Sequence, residues 1–145
     1  MTDKTVDGIR AFNRFYTTVI GVTNHHVLQS RYSLTEVRIL FEIDHQPGIT
    51  ARQIMATIQV DEGYLSRVIA RLVKQKLVQK KQLRGDKRVY ALQLSETGKR
   101  TFKTLNQRSA DDVARLVAHL DETEKQQLLD HLNQVSILLT KKSTA

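Results

Sequence analysis

Between Asp61 and Ser95 the spacing of apolar residues changes from a helical period to a period of two. That switch limits what the rest of the chain can build. At about 100° per residue, Leu65, Val68, Ile69, Leu72 and Val73 fall on one face of a helix, and Gly63, Arg67, Ala70, Arg71 and Lys74 cluster opposite, with Tyr64 and Ser66 on the flanks. Beyond residue 76, Tyr90, Leu92 and Leu94 alternate onto one side, which predicts a β-hairpin over 77–95 with Gly85-Asp86 as its turn. The other apolar residues of the chain recur at helical spacing. The expected fold is therefore mainly α with a small β-wing.

The same stretch carries the charge. Residues 64–88 hold nine Lys/Arg against one acid, Asp86, while the remaining 120 residues carry 14 basic and 14 acidic groups. The formal net charge of +8 thus sits on one helix and one hairpin. Such confinement is the electrostatic footprint of a polyphosphate partner. Long cations interleaved with Gly63 and Ala70 allow a helix backbone to approach a groove while arginine reaches base edges or phosphates. The hairpin tip, Arg84-Gly-Asp-Lys-Arg88, is too charged to bury and suits a wing lying along the backbone or in a minor groove. A solvated helix face and a polar hairpin tip would use similar residues; the charge asymmetry favours double-stranded DNA.

Upstream, Val6, Ile9, Phe12, Phe15, Tyr16, Val19, Ile20, Val27 and Leu28 form one helical stripe over residues 4–29, with Gly21 a weak point inside it. Ser33-Leu-Thr-Glu36 has capping-box spacing and opens a second helix containing Leu34, Val37, Leu40, Phe41 and Ile43, which Pro47-Gly48 stops. Thr50-Ala-Arg-Gln53 is a second such box, starting a short third helix with Ile54 and Ile58. Asp61 is a good N-cap for the fourth. Two short helices across a tight turn, the second one basic, make a helix-turn-helix pattern. Its first-turn residues Arg52 and Gln53 join Gly63, Tyr64, Ser66, Arg67, Arg71, Lys74, Arg84, Asp86, Lys87 and Arg88 as candidate DNA contacts.

After Ser95, a fifth helix is marked by Phe102, Leu105, Val113, Leu116, Val117 and Leu120. Asp121-Glu-Thr-Glu124 caps a sixth, with Leu128, Leu129, Leu132, Val135, Leu138 and Leu139, and the end, 141–145, is expected to fray. The first helix and the last two cannot all bury their stripes against a winged-helix core of about 65 residues. A second copy of the chain is the simplest partner. The division expected is a winged helix-turn-helix DNA-binding domain over 31–95, with 1–30 and 96–145 forming a helical dimerisation region. Two reading heads on a symmetric homodimer suit a pseudo-palindromic operator.

Other functions find little support. With no cysteine there is no disulfide framework, thiolate metal site or thiol nucleophile. The start of the chain lacks a signal-peptide core and no apolar run reaches membrane-spanning length, so a cytoplasmic protein without a membrane partner is expected. Neither a G-x-S-x-G, an H-E-x-x-H nor a phosphate-cradling glycine loop is present, which argues against an enzyme and against a cofactor. His25-His26 invites a metal reading, but adjacent helical residues diverge by about 100° and no i,i+4 partner follows. No metal site is expected; His119 and His131 belong on or near the dimer helices. Phe12, Phe15 and Tyr16, at helical spacing, are expected to pack in the core.

The run LSRVIARLVKQKLV (65–78), the wing Asp86-x-Arg88 and the closing LQLSETGKR (92–100) together resemble the MarR-type winged helix-turn-helix regulators, over nearly the whole chain. Ser95 stands where that family usually has threonine. The segments 9–22, 30–43 and 61–67 are similar to the regulator half of proteins that fuse a MarR domain to a GNAT acetyltransferase; the glycine-rich acyl-CoA loop is absent here. The resemblance implies a homodimeric transcriptional regulator, a repressor for preference, with its fourth helix in the major groove. It implies that Arg88 enters the minor groove, held by Asp86. It also implies a small aromatic or anionic effector between dimer helices and reading head, for which Tyr16, Arg31 and Tyr32 are the candidates. The competing readings are a winged-helix protein–protein adaptor and an orphan regulatory subunit, neither binding specific DNA.

Overall fold

The computed structural model describes residues 3–24 and 29–142. Their elements run α1 (Lys4–Thr23), α2 (Leu34–His45), α3 (Ala51–Ile58), α4 (Glu62–Lys74), β1 (Val78–Leu83), β2 (Asp86–Leu94), α5 (Glu96–Leu116) and α6 (Glu122–Thr140). Gly21 is accommodated within α1, which runs on to Thr23. Val27, Leu28, His25 and His26 lie outside the described residues.

Most helix starts follow their side chains. Thr50 Oγ1 accepts from Gln53 N at 3.3 Å and Gln53 Oε1 accepts from Thr50 N at 2.9 Å, a complete capping box for α3. Asp121 and Glu124 make the same reciprocal pair for α6 at 2.8 and 3.1 Å. Asp61 Oδ2 accepts from Tyr64 N at 3.0 Å to open α4, after Gln59 takes the left-handed conformation (φ 53°) that ends α3. The box expected at Ser33–Glu36 is only half made. Ser33 Oγ accepts from Glu36 N at 3.1 Å, but the Glu36 carboxylate turns inward, 3.5 Å from Nη2 of Arg71 on α4. The carboxylate thus faces a cation across the core boundary and not the amide at the cap.

One core organises the middle of the chain. Ile39, Leu40 and Ile43 of α2 meet Leu65, Val68, Ile69 and Leu72 of α4, with Ile49, Ile54, Leu77, Val78, Leu92, Leu94 and Phe102 closing around them. Val73, on the same stripe, is only half-buried. β1 and β2 pair antiparallel from Val78↔Leu94 to Gln82↔Tyr90, and a register shift follows at Gln82/Leu83. The turn falls at Arg84-Gly85, one residue earlier than Gly85-Asp86, because Gly85 takes the positive φ (91°) and Asp86 already opens β2. A single bridge, Ile49↔Leu92, ties the hairpin to the turn after α2.

The junction of β2 and α5 explains the landmark at 95–98. Ser95 Oγ accepts from Gly98 N at 2.9 Å and donates to Lys76 O at 2.6 Å, while Ser95 N donates to Leu77 O at 2.9 Å. A Cβ at position 98 would stand 2.1 Å from Leu77 O, so the backbone of α5 can lie against the α4–β1 junction only if residue 98 has no side chain.

The outer helices depart from expectation in two places. Phe12, Phe15 and Tyr16 do not enter the core: they are 47%, 63% and 38% exposed. The rings of Phe12 and Tyr16 stack at 5.4 Å between centroids, in an aromatic patch on α1. The reason is geometric, since the α2–α4 core is already closed by Phe102 and the sheet. Helix α5 ends at Leu116, with Val117 as its C-cap, so Leu120 falls in the turn before α6. Phe102 and Leu105 are buried, whereas Val113 and Leu116 are exposed, and α6 buries no residue at all. Among the described residues no helix is long and apolar enough to cross a membrane.

Candidate nucleic-acid interface

The apolar stripe of α4 goes into the core, and this aims the opposite face outward. Gly63, Ser66, Arg67, Ala70, Arg71 and Lys74 lie along that face, and all six are exposed. Tyr64 is only partly available, because its ring packs against the core. A Cβ at Gly63 would meet Asp61 Oδ2 at 3.2 Å and Arg67 Nη1 at 3.4 Å, so the bare glycine leaves the space that the Arg67 guanidinium occupies over the helix start. Arg71 is tied back to the scaffold through Glu36. On α3, Arg52 is exposed, while Gln53 spends its carbonyl oxygen on the cap and keeps only its amide nitrogen for a ligand.

The wing projects beside this helix. Arg84, Lys87 and Arg88 are exposed at its tip. Asp86 Oδ1 accepts from Arg88 N at 2.9 Å and from Arg88 Nε at 3.3 Å, which aligns the arginine stem while its side chain stays 91% exposed. An ion pair this open adds little stability; its effect is to restrict where the guanidinium points. Gln82 Nε2 donates to Lys87 O across the hairpin and steadies the tip.

A cleft of about 430 Å³ runs between α3, α4 and the wing. Arg52, Ser66 and Arg88 line it together with Lys80 and Tyr90, whose ring lies 5.1 Å from Lys80 Nζ. Lys80 and Tyr90 were not among the expected contacts. Lys80 pairs with Leu92 and so shares the sheet face of Tyr90, towards the helices. That assignment needs the register, which the turn fixes and the composition does not. Arg84 and Lys87 lie away from the cleft, at the tip.

Of the effector candidates, Arg31 and Tyr32 are in contact. Tyr16 stacks on Phe12, and the Arg31 guanidinium sits 5.5 Å over the ring of Tyr32, which packs against the core. A separate cavity of about 180 Å³, lined by Leu34, Val37, Phe41 and Phe102 with Asn24 and Asn106, contains none of the three. Phe41 and Phe102 supply its apolar wall, in edge contact at 6.2 Å. Their signal in the sequence was indistinguishable from core. Among the described residues no group of three His, Asp or Glu comes together as a metal site.

Residues 32–89 match the MarR family model. Over 103 residues the chain is 27% identical to the HTH-type transcriptional regulator BilQ of Clostridium symbiosum, covering 71% of this chain and 72% of that protein. In fold it is similar to Streptococcus pneumoniae FabT, whose crystal structure is a complex with DNA (TM-score 0.77, 16% identity, 94% of this chain and 97% of that one). It is likewise similar to the apo form of wild-type MarR from E. coli (TM-score 0.74, 20% identity, 93% and 98%). The family and BilQ are regulators and not enzymes.

Proposed function

We propose that the chain is a MarR-type winged helix-turn-helix regulator and that it acts as a homodimer binding a pseudo-palindromic DNA operator. The carrying observation is the single basic face on which α4 and the wing stand side by side, with Arg67, Arg71, Lys74, Arg84, Lys87 and Arg88 all exposed. Residues 31–95 are the reading head. The first two turns of α4, Gly63 to Arg67, are the part that reads base edges, as the N-terminal end of a recognition helix does. Arg88, steadied by Asp86, enters the adjacent minor groove. Phosphate contacts dominate affinity and make it steeply salt-dependent.

The uncovered apolar faces supply the dimer. Val6, Ile9, Phe12, Phe15 and Tyr16 of α1, and Leu128, Leu129, Leu132 and Val135 of α6, are too extensive to leave in water. A two-fold partner buries the same patch on both copies. A dimer on an operator excludes other proteins from the same stretch, so repression is the sign proposed. A small effector that entered between α1, α2 and α5, where Phe41 and Phe102 wall a cavity, would respace the heads and lower affinity.

Selection of bound duplexes from random-sequence DNA tests the reading. It should enrich an inverted repeat whose half-site centres lie about one helical turn apart, roughly 34–36 Å. Recovery of unenriched sequence, from a protein shown to be folded, would refute it.

A further inference from the structure

Glu36 is one of two buried charged side chains among the described residues, at 8% exposure, and it belongs to none of the groups that would touch DNA. Its carboxylate lies 3.5 Å from Nη2 of Arg71, whose side chain is 51% exposed. The pair therefore has an inner half in protein and an outer half in solvent. It joins the start of α2 to the last turn of α4, across the face where the core ends. A guanidinium offers five donors in a rigid fork. With a buried carboxylate behind one nitrogen, the remaining donors are left to face outward.

The position along α4 decides what that edge can reach. Arg71 comes nine residues after Glu62, the first residue of α4, and at about 1.5 Å per residue this sets it some 13–14 Å from the helix start. Recognition helices touch base edges with their N-terminal residues. A guanidinium more than two turns further on, fixed to the scaffold from behind, lies nearer the flanking sugar–phosphate chain.

We infer that Glu36 is a positioning residue and that Arg71 is a phosphate clamp held by it, setting how deeply α4 seats and not which bases it reads. This rests on the DNA reading above. Specificity then lies in residues 63–67, and the Glu36–Arg71 pair adds affinity that is the same for any sequence.

The test compares wild type, Glu36→Gln, Arg71→Ala and the double variant. Each is titrated at several salt concentrations against its selected operator and against random duplex of equal length, with thermal melts without DNA. Arg71→Ala should weaken both duplexes by a similar factor, leave their ratio within about two-fold, and flatten the salt slope by about 0.9 for one lost phosphate contact. It also leaves Glu36 buried without its cation, so adding Glu36→Gln should recover part of the lost melting temperature. The change that Glu36→Gln makes in affinity should largely vanish once Arg71 is alanine. A collapse of the operator-to-random ratio in Arg71→Ala would make Arg71 a base reader and overturn the inference. Additive effects of the two substitutions, in binding and in melting alike, would overturn the role of Glu36. If Arg71→Ala proves unfolded, Arg71→Lys supplies the same comparison: it keeps the charge and loses the fork, and an unchanged affinity would count against the clamp. A folded wild type that binds neither duplex would overturn the DNA reading itself, whatever the melting data say about the pair.

Discussion

Gly98→Ala is a one-carbon change whose cost can be worked from geometry. The added Cβ would stand 2.1 Å from Leu77 O, whereas carbon and carbonyl oxygen settle at roughly 3.3 Å or more. The backbones of α5 and the α4–β1 junction must therefore part by about 1 Å. Overpacking of this kind costs about 1–3 kcal/mol. The same shift loosens the bonds from Ser95 N to Leu77 O and from Ser95 Oγ to Lys76 O, worth about 1 kcal/mol each. Alanine returns about 1 kcal/mol of helix propensity. The net loss is about 2–4 kcal/mol, a fall of roughly 6–15 °C in melting temperature for a domain of this size. Thermal and denaturant unfolding at one fixed protein concentration measure it, because association makes stability concentration-dependent. Gly8→Ala is the control, since nothing lies within 4 Å of a Cβ there and the propensity gain alone should make it neutral or slightly stabilising. If Gly98→Ala melts with the control, the close approach is not a constraint and the reasoning is wrong.

Three further outcomes follow from the interface and the outer helices. Arg88→Ala should weaken operator binding by at least several-fold while leaving the melting temperature within about 2 °C, because an exposed ion pair contributes about 0–1 kcal/mol; unchanged affinity would remove the wing from the interface. Arg67→Ala should lower the operator-to-random ratio by roughly 10-fold, the worth of one lost base contact of about 1–3 kcal/mol. An equal loss on both duplexes would make Arg67 a phosphate contact. Leu132→Asp, on the uncovered face of α6, should shift sedimentation from dimer to monomer and abolish cooperative operator binding. A dimer that survives it would place the two-fold interface elsewhere.

The helix–hairpin unit was legible because its constraints are local. A period change marks where helix gives way to hairpin, Asp61 and Thr50 cap the helices they precede, and the stripe from Leu65 to Leu72 says which face of α4 is buried. The misses needed partners distant in sequence. Glu36 has capping-box spacing, and only its proximity to Arg71, 35 positions on, reveals that the carboxylate is used otherwise. Lys80 joins the cleft through a strand register set by a turn that lies one residue from its expected place. Phe12, Phe15 and Tyr16 read as core by spacing, yet spacing does not say whose core. On this chain they are exposed, and a hydrophobic face looks the same in sequence whether its own domain or a second copy covers it.

The most direct test of the central claim is a binding titration of purified protein against the DNA upstream of its own gene and against random duplex of equal length, at several salt concentrations. A specific dimeric reader predicts tight binding that prefers the upstream fragment by about a thousand-fold, with a steep salt dependence on both. Equal, salt-labile binding to the two fragments would contradict it.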